Sequence, residues 1–274
     1  MLFVHGIGLG AWLWERDQQE LSGMGIESWA VDLPGHGMAP GNAGMSDCYA
    51  AVEAAALELG RPAIVGHSAG ALVAQVVASR MEVASLVLVA PVPCAPVPML
   101  PTLEGARVMV RQLGHLAAGR NLTLRRVDYL RTGMHLLHED EADRAMEQMV
   151  PWPHGMVRDM AVRRPRLDPL TCHVLVTHGL QDRVTRLSNS RLLADHHDAP
   201  LWRFDDLAHL PPLEPGGLRH ARAIGEWLLR PHGRRIREID ALAPGDGIGE
   251  QARAERKGSN TPRSDSRFGN RRKL

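Results

Sequence analysis

The sequence predicts a three-layer α/β fold, in which a mostly parallel sheet lies between two layers of helices. Six short apolar segments recur along the chain, and most are continuous rather than alternating, as is typical of strands covered on both faces. The intervening segments are long enough for crossover helices, and residues 46–59 and 69–80 are rich in alanine and other helix formers. A chain of 274 residues can bury a core of this size in one large domain.

The predicted strands are the six apolar segments, taken in chain order. They are LFV from residue 2, SWAVDL from 28, AIVG from 63, SLVLVA from 85, HVLVTHG from 173 and LWRF from 201. Because helical segments alternate with them, we expect a sheet built largely from strand–helix–strand units.

The alternation is interrupted once, by a long segment between the fourth and fifth predicted strands. It opens with a proline-dense stretch and continues with three helix-like pieces, at about 102–118, 121–131 and 139–149. The segment is too long for one crossover and too helical for a plain loop. We therefore predict a helical cap over residues 101–168, inserted into a core formed by residues 1–100 and 169–230.

Cysteine usage and hydropathy indicate a reduced, soluble protein. Cys48, Cys94 and Cys172 are odd in number and have no metal-like spacing, as is typical of small buried residues in a reducing compartment. The first ten residues contain neither a basic leader nor a long apolar stretch, and no window approaches the roughly 20 apolar residues of a membrane helix. We therefore expect a cytoplasmic protein without a membrane span.

The end of the chain differs in composition from the rest. Residues 231–274 contain 11 Lys and Arg against 6 Asp and Glu, and they are rich in polar residues and glycine. Such a segment cannot bury enough apolar surface to fold, so we predict a basic, disordered tail. Its charge could attract nucleic acid or an anionic membrane, but a solvated tail without a specific nucleic-acid partner is the favoured interpretation. The sequence leaves the oligomeric state open.

The segment AIVGHSAGALVAQV places a Gly-Ser-Gly cluster between a buried strand and a buried helix. A G-x-S-x-G pentapeptide arises by chance in roughly one chain in ten of this length, but the strand–turn–helix setting makes this one specific. Gly66 and Gly70 leave room for a sharp turn, on which Ser68 is expected to be strained, with its hydroxyl projecting from the sheet edge. The same turn places the backbone N–H of Ala69 at a helix N-terminus, where negative charge is favoured.

These residues resemble the nucleophile elbow of the α/β-hydrolase family, and further segments match that family in order. FVHGIG at 3–8 is similar to the family's His-Gly loop, which implies that Ile7 lends its backbone N–H to an oxyanion hole. VDLPGHG at 31–37 is similar to the Asp-x-x-Gly-x-Gly turn after the next strand. The resemblance covers about residues 2–230 and implies an α/β-hydrolase fold, with Ala69 as the second oxyanion donor.

The family resemblance also implies an acid and a base that follow Ser68 in the chain. VTHGLQDRVT places Asp182 after the fifth strand, where it matches the Gly-x-x-Asp-x-Val acid site. DDLAHLPPLEP places His209 after the sixth strand, where it matches the His-x-x-x-x-Glu segment. Asp205 and Asp206 are the competing candidates for the acid, but they are typical of surface acids at a strand end.

The implied activity is hydrolysis of a carboxylic ester through an acyl-enzyme on Ser68, with no cofactor or metal ion. The cap composition favours a small to medium, mostly apolar substrate. Acyl transfer and hydrolysis of a thioester or lactone use the same three side chains, and a non-enzymatic ligand receptor can retain them, so these alternatives stay open. GAWLW at 10–14 is also similar to a segment of hydroxynitrile lyases, but a lyase needs an added cation near the serine.

One departure from the family pattern concerns the start of the chain. The family sheet has two strands before the His-Gly loop, whereas Met1 directly precedes the first predicted strand here. Without them, the strand at 28–33 is expected to form an open sheet edge, which invites pairing with another chain. We expect either a natural start further upstream or poor solution behaviour of a chain that begins at Met1.

Overall fold

A parallel sheet forms the centre of the computed structural model, which describes residues 1–38, 40–230 and 238–239. Its strands are β1 (Leu2–Val4), β2 (Trp29–Val31), β3 (Ile64–His67), β4 (Ser85–Val89), β5 (His173–Gly179), β6 (Leu201–Phe204) and β7 (Glu238–Ile239). They are ordered β2-β1-β3-β4-β5-β6-β7, and every neighbouring pair is parallel. The prediction of a mostly parallel sheet is confirmed.

Helices cover both faces of the sheet. They are α1 (Glu15–Gly23), α2 (Met45–Glu58), α3 (Ala69–Arg80), α4 (Leu103–Ala117), α5 (Arg126–Arg131), α6 (Glu139–Gln148), α7 (His154–Val162), α8 (Leu187–His197) and α9 (Gly217–Leu229). Helices α2, α3 and α8 contribute to one large apolar cluster with the sheet, and α1 packs against α9. None of the described helices is both long and apolar enough to cross a bilayer.

The strand sequences are continuous apolar runs because alternate side chains enter two different apolar layers. In β1, Leu2 and Val4 belong to the cluster with α2 and α3, whereas Phe3 stacks on Trp14 with ring centroids 4.4 Å apart. In β6, Phe204 contacts the ring of His220 on α9. Strands β1, β3 and β4 are therefore buried on both faces, as the sequence predicts, whereas the edge strand β2 is partly exposed.

The long segment between β4 and β5 contains α4 to α7. Val108, Leu122, Leu124 and Val157 form a small apolar cluster there, against which Ile7 packs. The predicted helix at 121–131 is too long, because Leu122 pairs with Trp152 in an isolated antiparallel bridge and the helix starts at Arg126. Helix α7 was not predicted. The division into a core and a cap at 101–168 remains a proposal.

The two outer strands of the sheet, β2 and β7, bear on two predictions: the open sheet edge and the disordered tail. Among the described residues, strand β2 pairs with β1 alone and lies at the sheet edge, as expected. The predicted tail at 231–274 lies outside the described residues, except for Glu238–Ile239, which pair with β6. The sequence did not predict this pairing, because backbone hydrogen bonds to a free sheet edge need no particular side chains.

Candidate active site

Ser68 lies between the end of β3 and the start of α3, in a backbone conformation that few residues other than glycine adopt. Its φ is 52° and its ψ is −117°. Two backbone hydrogen bonds hold it there, from its own N–H to the carbonyl of Val89 at 2.9 Å and from the N–H of Val92 to its carbonyl at 3.0 Å. Strain of this kind persists only where the surroundings impose it, and it aims the Ser68 hydroxyl away from the sheet.

The two glycines beside Ser68 are required by close packing. A Cβ on Gly66 would lie 2.7 Å from the Cα of Ala71, inside the following helix. A Cβ on Gly70 would overlap the carbonyl oxygens of Val4 and His5, so a side chain there would push α3 away from β1. The sequence-based reason for both glycines, a turn too tight for side chains, is thus confirmed by the surroundings of each.

His209 lies between Ser68 and Asp182 and is close to both. Its Nε2 is 3.2 Å from the Ser68 hydroxyl oxygen, and its Nδ1 is 2.8 Å from Oδ2 of Asp182. Because the carboxylate only accepts, Nδ1 carries the proton, and Nε2 is left to accept from the serine hydroxyl. Ser68 and His209 are only 7% and 6% exposed, so this exchange is largely shielded from bulk water.

The side chain of Asp182 is fully buried and is held as a carboxylate. Burial alone would raise the pKa of Asp182, but attraction to His209 and hydrogen bonds from His209 and Thr185 outweigh it and hold the pKa well below its usual value. The N–H groups of Val184 and Thr185 bind Oδ1 at 2.6 and 2.9 Å. The alternative acid Asp206 pairs with Arg219 instead.

The two predicted oxyanion donors lie on one cavity together with Ser68. Ala69 is the first residue of α3, so its N–H belongs to the first helical turn, where amides have no acceptor within the helix. Ile7 follows Gly6, which packs closely on the elbow: a Cβ at Gly6 would lie 2.8 Å from Nδ1 of His67 and 3.1 Å from the Ser68 Cβ. The structure therefore places both residues on the wall of the cavity onto which Ser68 opens, and their role as oxyanion donors stays a prediction.

His5 holds the loop that carries Ile7. Its Nδ1–H donates to the carbonyl of Gly6 at 2.7 Å, and its Nε2 accepts the N–H of Leu33 at 3.0 Å. Burial lowers the pKa of His5 to about 3, so the ring is neutral and keeps both roles near neutral pH. The loop is thereby tied to the chain after β2.

A sequence model described as "Alpha/beta hydrolase family" matches residues 1–221, most of the described chain. The chain belongs to the alpha/beta hydrolase family. This match confirms the α/β-hydrolase fold that the sequence motifs imply. No curated protein sequence matches the chain at a significant level.

Solved structures similar to this alpha/beta hydrolase include enzymes that cleave esters. The monoacylglycerol lipase of Paleococcus ferrophilus is 25% identical, with a TM-score of 0.61 over 83% of this chain and 92% of the other. An esterase of Thermogutta terrifontis is 23% identical, with a TM-score of 0.63 over 83% and 88%. A methylesterase of Arabidopsis is 16% identical, with a TM-score of 0.64 over 84% and 96%. At 23% and 16% identity, the last two similarities concern the fold alone.

The serine of this alpha/beta hydrolase opens onto a cavity of about 510 Å³. Side chains from α4, α7 and the chain around them supply much of its apolar wall, including Val108, Met109, Leu124, Trp152, Val157 and Met160. Within the described part of the chain, no Asp, Glu, Lys or Arg lines the cavity. The volume lies in the range usual for small-molecule sites, and the described residues of the wall include no Asp, Glu, Lys or Arg that could pair with an ionic ligand.

One group of side chains outside this cavity has donor atoms close enough to share a metal ion. Single ligand atoms of Cys94, His196 and His197 lie within 4.8 Å of one another. Burial raises the pKa of the Cys94 thiol to about 11, and His196 Nε2–H already donates to the carbonyl of Leu167. We assign no metal to this group, which the sequence spacing did not reveal.

The sequence motifs gave Thr185 no role at the site, and they matched Glu214 only as the last residue of the His-x-x-x-x-Glu segment, without a contact assigned to it. Thr185 binds Asp182 through both its N–H and its hydroxyl, and Glu214 binds the backbone on either side of His209. Thr185 follows Asp182 by three residues, and Glu214 follows His209 by five. These spacings are visible in the sequence, but the contacts depend on how each loop folds back.

Proposed function

We propose that this alpha/beta hydrolase cleaves carboxylic esters through a covalent acyl-enzyme on Ser68. The observation that carries the proposal is the chain of two hydrogen bonds through His209, 3.2 Å to the Ser68 hydroxyl and 2.8 Å to the Asp182 carboxylate. A serine hydroxyl becomes a useful nucleophile only when a base takes its proton and an acid orients that base.

In the proposed first step, the Ser68 oxygen attacks the ester carbonyl while His209 Nε2 accepts the hydroxyl proton. Asp182, which stays ionised, stabilises the imidazolium that forms. The N–H groups of Ile7 and Ala69 bind the oxygen on which negative charge develops, a contribution of about 3–4 kcal/mol for each donor. His209 then gives its proton to the departing alcohol.

In the second step, His209 removes a proton from water, which attacks the acyl carbonyl. The bond from this carbon to the Ser68 oxygen then breaks, His209 returns the proton to that oxygen, and the acid leaves. Acyl transfer and hydrolysis of a thioester or lactone would use the same groups. The apolar wall favours an uncharged, small to medium substrate, since an ionic group there would lose its hydration without a partner. A lyase is less well supported, because the cavity wall has no cation among the described residues.

The experiment that tests the proposal combines covalent labelling with turnover. The wild-type protein is expected to react with a fluorophosphonate probe and to hydrolyse short p-nitrophenyl esters over many turnovers. Both activities should fall by a factor on the order of 10⁴–10⁶ in Ser68→Ala. Ser79→Ala is the matched control. Ser79 lies in α3, the helix that follows Ser68, and its hydroxyl donates to the carbonyl of Val76 rather than contacting His209.

Two results would count against the proposal. Labelling of wild-type Ser68 without multiple turnover of any ester, thioester or lactone would favour a receptor. Turnover that persists unchanged in Ser68→Ala would exclude Ser68 as the nucleophile.

A further inference from the structure

The loop that carries His209 is held by a buried carboxylate. Glu214 is fully buried and accepts one backbone hydrogen bond on each side of His209. The N–H of Ala208 donates to Oε2 at 2.6 Å, and the N–H of Leu210 donates to Oε1 at 2.8 Å. Both carboxylate oxygens are therefore engaged by residues adjacent to His209 in the chain.

The carbonyl group of His209 is held by a different residue. Nε2 of His67 lies 2.7 Å from this carbonyl oxygen, and because a carbonyl only accepts, Nε2 carries the proton and donates it. The ring is fully buried, and burial lowers the pKa of His67 to about 3, so it is a neutral donor near neutral pH. Since His67 directly precedes Ser68, this bond connects the elbow to the His209 loop.

We propose that Glu214 and His67 are positioning residues that together fix the backbone of His209 relative to Ser68. This pair is called the His209 clamp below. The inference rests on the proposed function, because the step that the clamp serves is the transfer of the Ser68 proton to His209. Neither residue is proposed to touch the reacting atoms.

The His209 clamp holds the His209 ring in the orientation that the proposed proton transfer requires. The ring must keep Nε2 near Ser68 and Nδ1 near Asp182 at the same time, although the three residues come from three separate loops. A misplacement of about 1 Å in such an arrangement can cost roughly 100-fold in rate. Hydrogen bonds to three consecutive residues, Ala208 to Leu210, limit the rotation and translation of the His209 backbone.

The choice of an acid at position 214 supports this role. Burial raises the pKa of Glu214 to about 7, although the hydrogen bonds from Ala208 and Leu210 and the nearby His209 act to lower it. An apolar residue would avoid this cost of burial, but it would leave two buried N–H groups unpaired. A carboxylate with two accepting oxygens satisfies both.

The test uses pairs of variants that differ in the relevant bond. His67→Phe keeps a ring but removes the donor, whereas His67→Gln retains an N–H that can reach the His209 carbonyl. Glu214→Gln keeps the shape but turns an amide NH₂ towards a backbone N–H. The matched control is His220→Phe, because His220 is also a buried histidine but bonds to the hydroxyl of Thr177.

Two readouts are measured on folded protein, as judged by circular dichroism. The first is the kcat and KM for a p-nitrophenyl ester. The second is the deshielded proton of the His209 Nδ1–H···Asp182 hydrogen bond in the NMR spectrum, assigned by its loss in Asp182→Asn. We expect His67→Phe and Glu214→Gln to lose or broaden this resonance and to lower kcat by roughly 10- to 100-fold with KM little changed. His67→Gln and His220→Phe should keep the resonance and most of the kcat.

The clamp is wrong if folded His67→Phe retains both the resonance and the wild-type kcat. Should Glu214→Gln fail to fold, the comparison of His67→Phe with His67→Gln still decides. If the wild type turns over no ester but the clamp variants lose the resonance, the clamp stands and the proposed function fails.

Discussion

The hydroxyl of Thr185 donates a 2.6 Å hydrogen bond to Oδ2 of Asp182, the same oxygen that accepts Nδ1–H of His209. This second donor on the shared oxygen limits the rotation of the carboxylate. It also contributes to the low pKa of Asp182, so that the carboxylate remains charged into acidic solution.

Replacement of this hydroxyl should reduce the rate without abolishing it. Thr185→Val removes one hydrogen bond to a charged group but leaves the backbone donors to Asp182 in place, so we expect kcat to fall by roughly 10-fold. Steady-state kinetics on a p-nitrophenyl ester measure the effect. Thr177→Val, which removes a buried hydroxyl bonded to His220, is the control and should leave kcat near the wild-type value.

Removal of the acid itself should have a much larger effect. Asp182→Asn leaves an amide where His209 needs a carboxylate, which disturbs the tautomer, and kcat is expected to fall by about 10⁴-fold. Asp206→Asn should change kcat by less than about threefold, since Asp206 pairs with Arg219 on α9. A larger loss from Asp206→Asn than from Asp182→Asn would reverse the assignment of the acid.

The buried carboxyl group of Asp17 in α1 is expected to make the stability of the folded protein fall as the pH rises. Asp17 is 1% exposed, neither of its carboxylate oxygens has a hydrogen-bond partner in the described part of the chain, and burial raises its pKa to about 8. Below the unfolded pKa of 3.8 the group is protonated in both states and costs no ionisation energy. Between about pH 4 and pH 8 the unfolded chain is ionised while the folded chain holds the proton, so the stability contribution of Asp17 falls as pH rises.

Asp17→Asn should therefore raise the free energy of unfolding by roughly 2–4 kcal/mol at pH 8 and by much less at pH 4.5. Urea denaturation of both proteins at the two pH values measures the difference. An equal difference at both pH values would show that ionisation of Asp17 is not its origin.

Two glycine substitutions should act in opposite directions. Gly114 lies inside α4 with open space where a Cβ would be, so Gly114→Ala is expected to stabilise the protein by about 0.5–1 kcal/mol. Gly70→Ala would drive a methyl group into the carbonyls of Val4 and His5 and should destabilise it by at least about 3 kcal/mol. Thermal unfolding of both variants, with the unfolding enthalpy measured for each, shows whether the free energy of unfolding rises or falls.

The sheet was largely predictable from the sequence. The predicted bounds of β5, β6 and α3 coincide with the observed ones, because each apolar segment ends at a glycine, a charge or a turn. Helix α7 escaped prediction because it is short and lies between proline-containing and charged segments, so it gives no long periodic pattern.

The site was predictable in identity but not in geometry. Motifs and chain order pointed to Ser68, Asp182 and His209, and the fold brings the three side chains together. The contacts around them were not predictable. Asp17 lies in a polar stretch and Glu214 in a proline- and leucine-rich one, and neither local sequence shows that its carboxyl group is buried.

The packing of Ile7 links substrate choice to chemistry. We propose the amide of Ile7 as an oxyanion donor. The Ile7 side chain packs on the apolar cluster of Val108, Leu122, Leu124 and Val157. One residue further on, the carbonyl of Gly8 accepts a hydrogen bond from the N–H of Val150. Substitutions in this cluster that adapt the cavity to a new ester are therefore expected to move the Ile7 N–H as well. Changes in selectivity and turnover number should appear together in a library of variants rather than as separable traits.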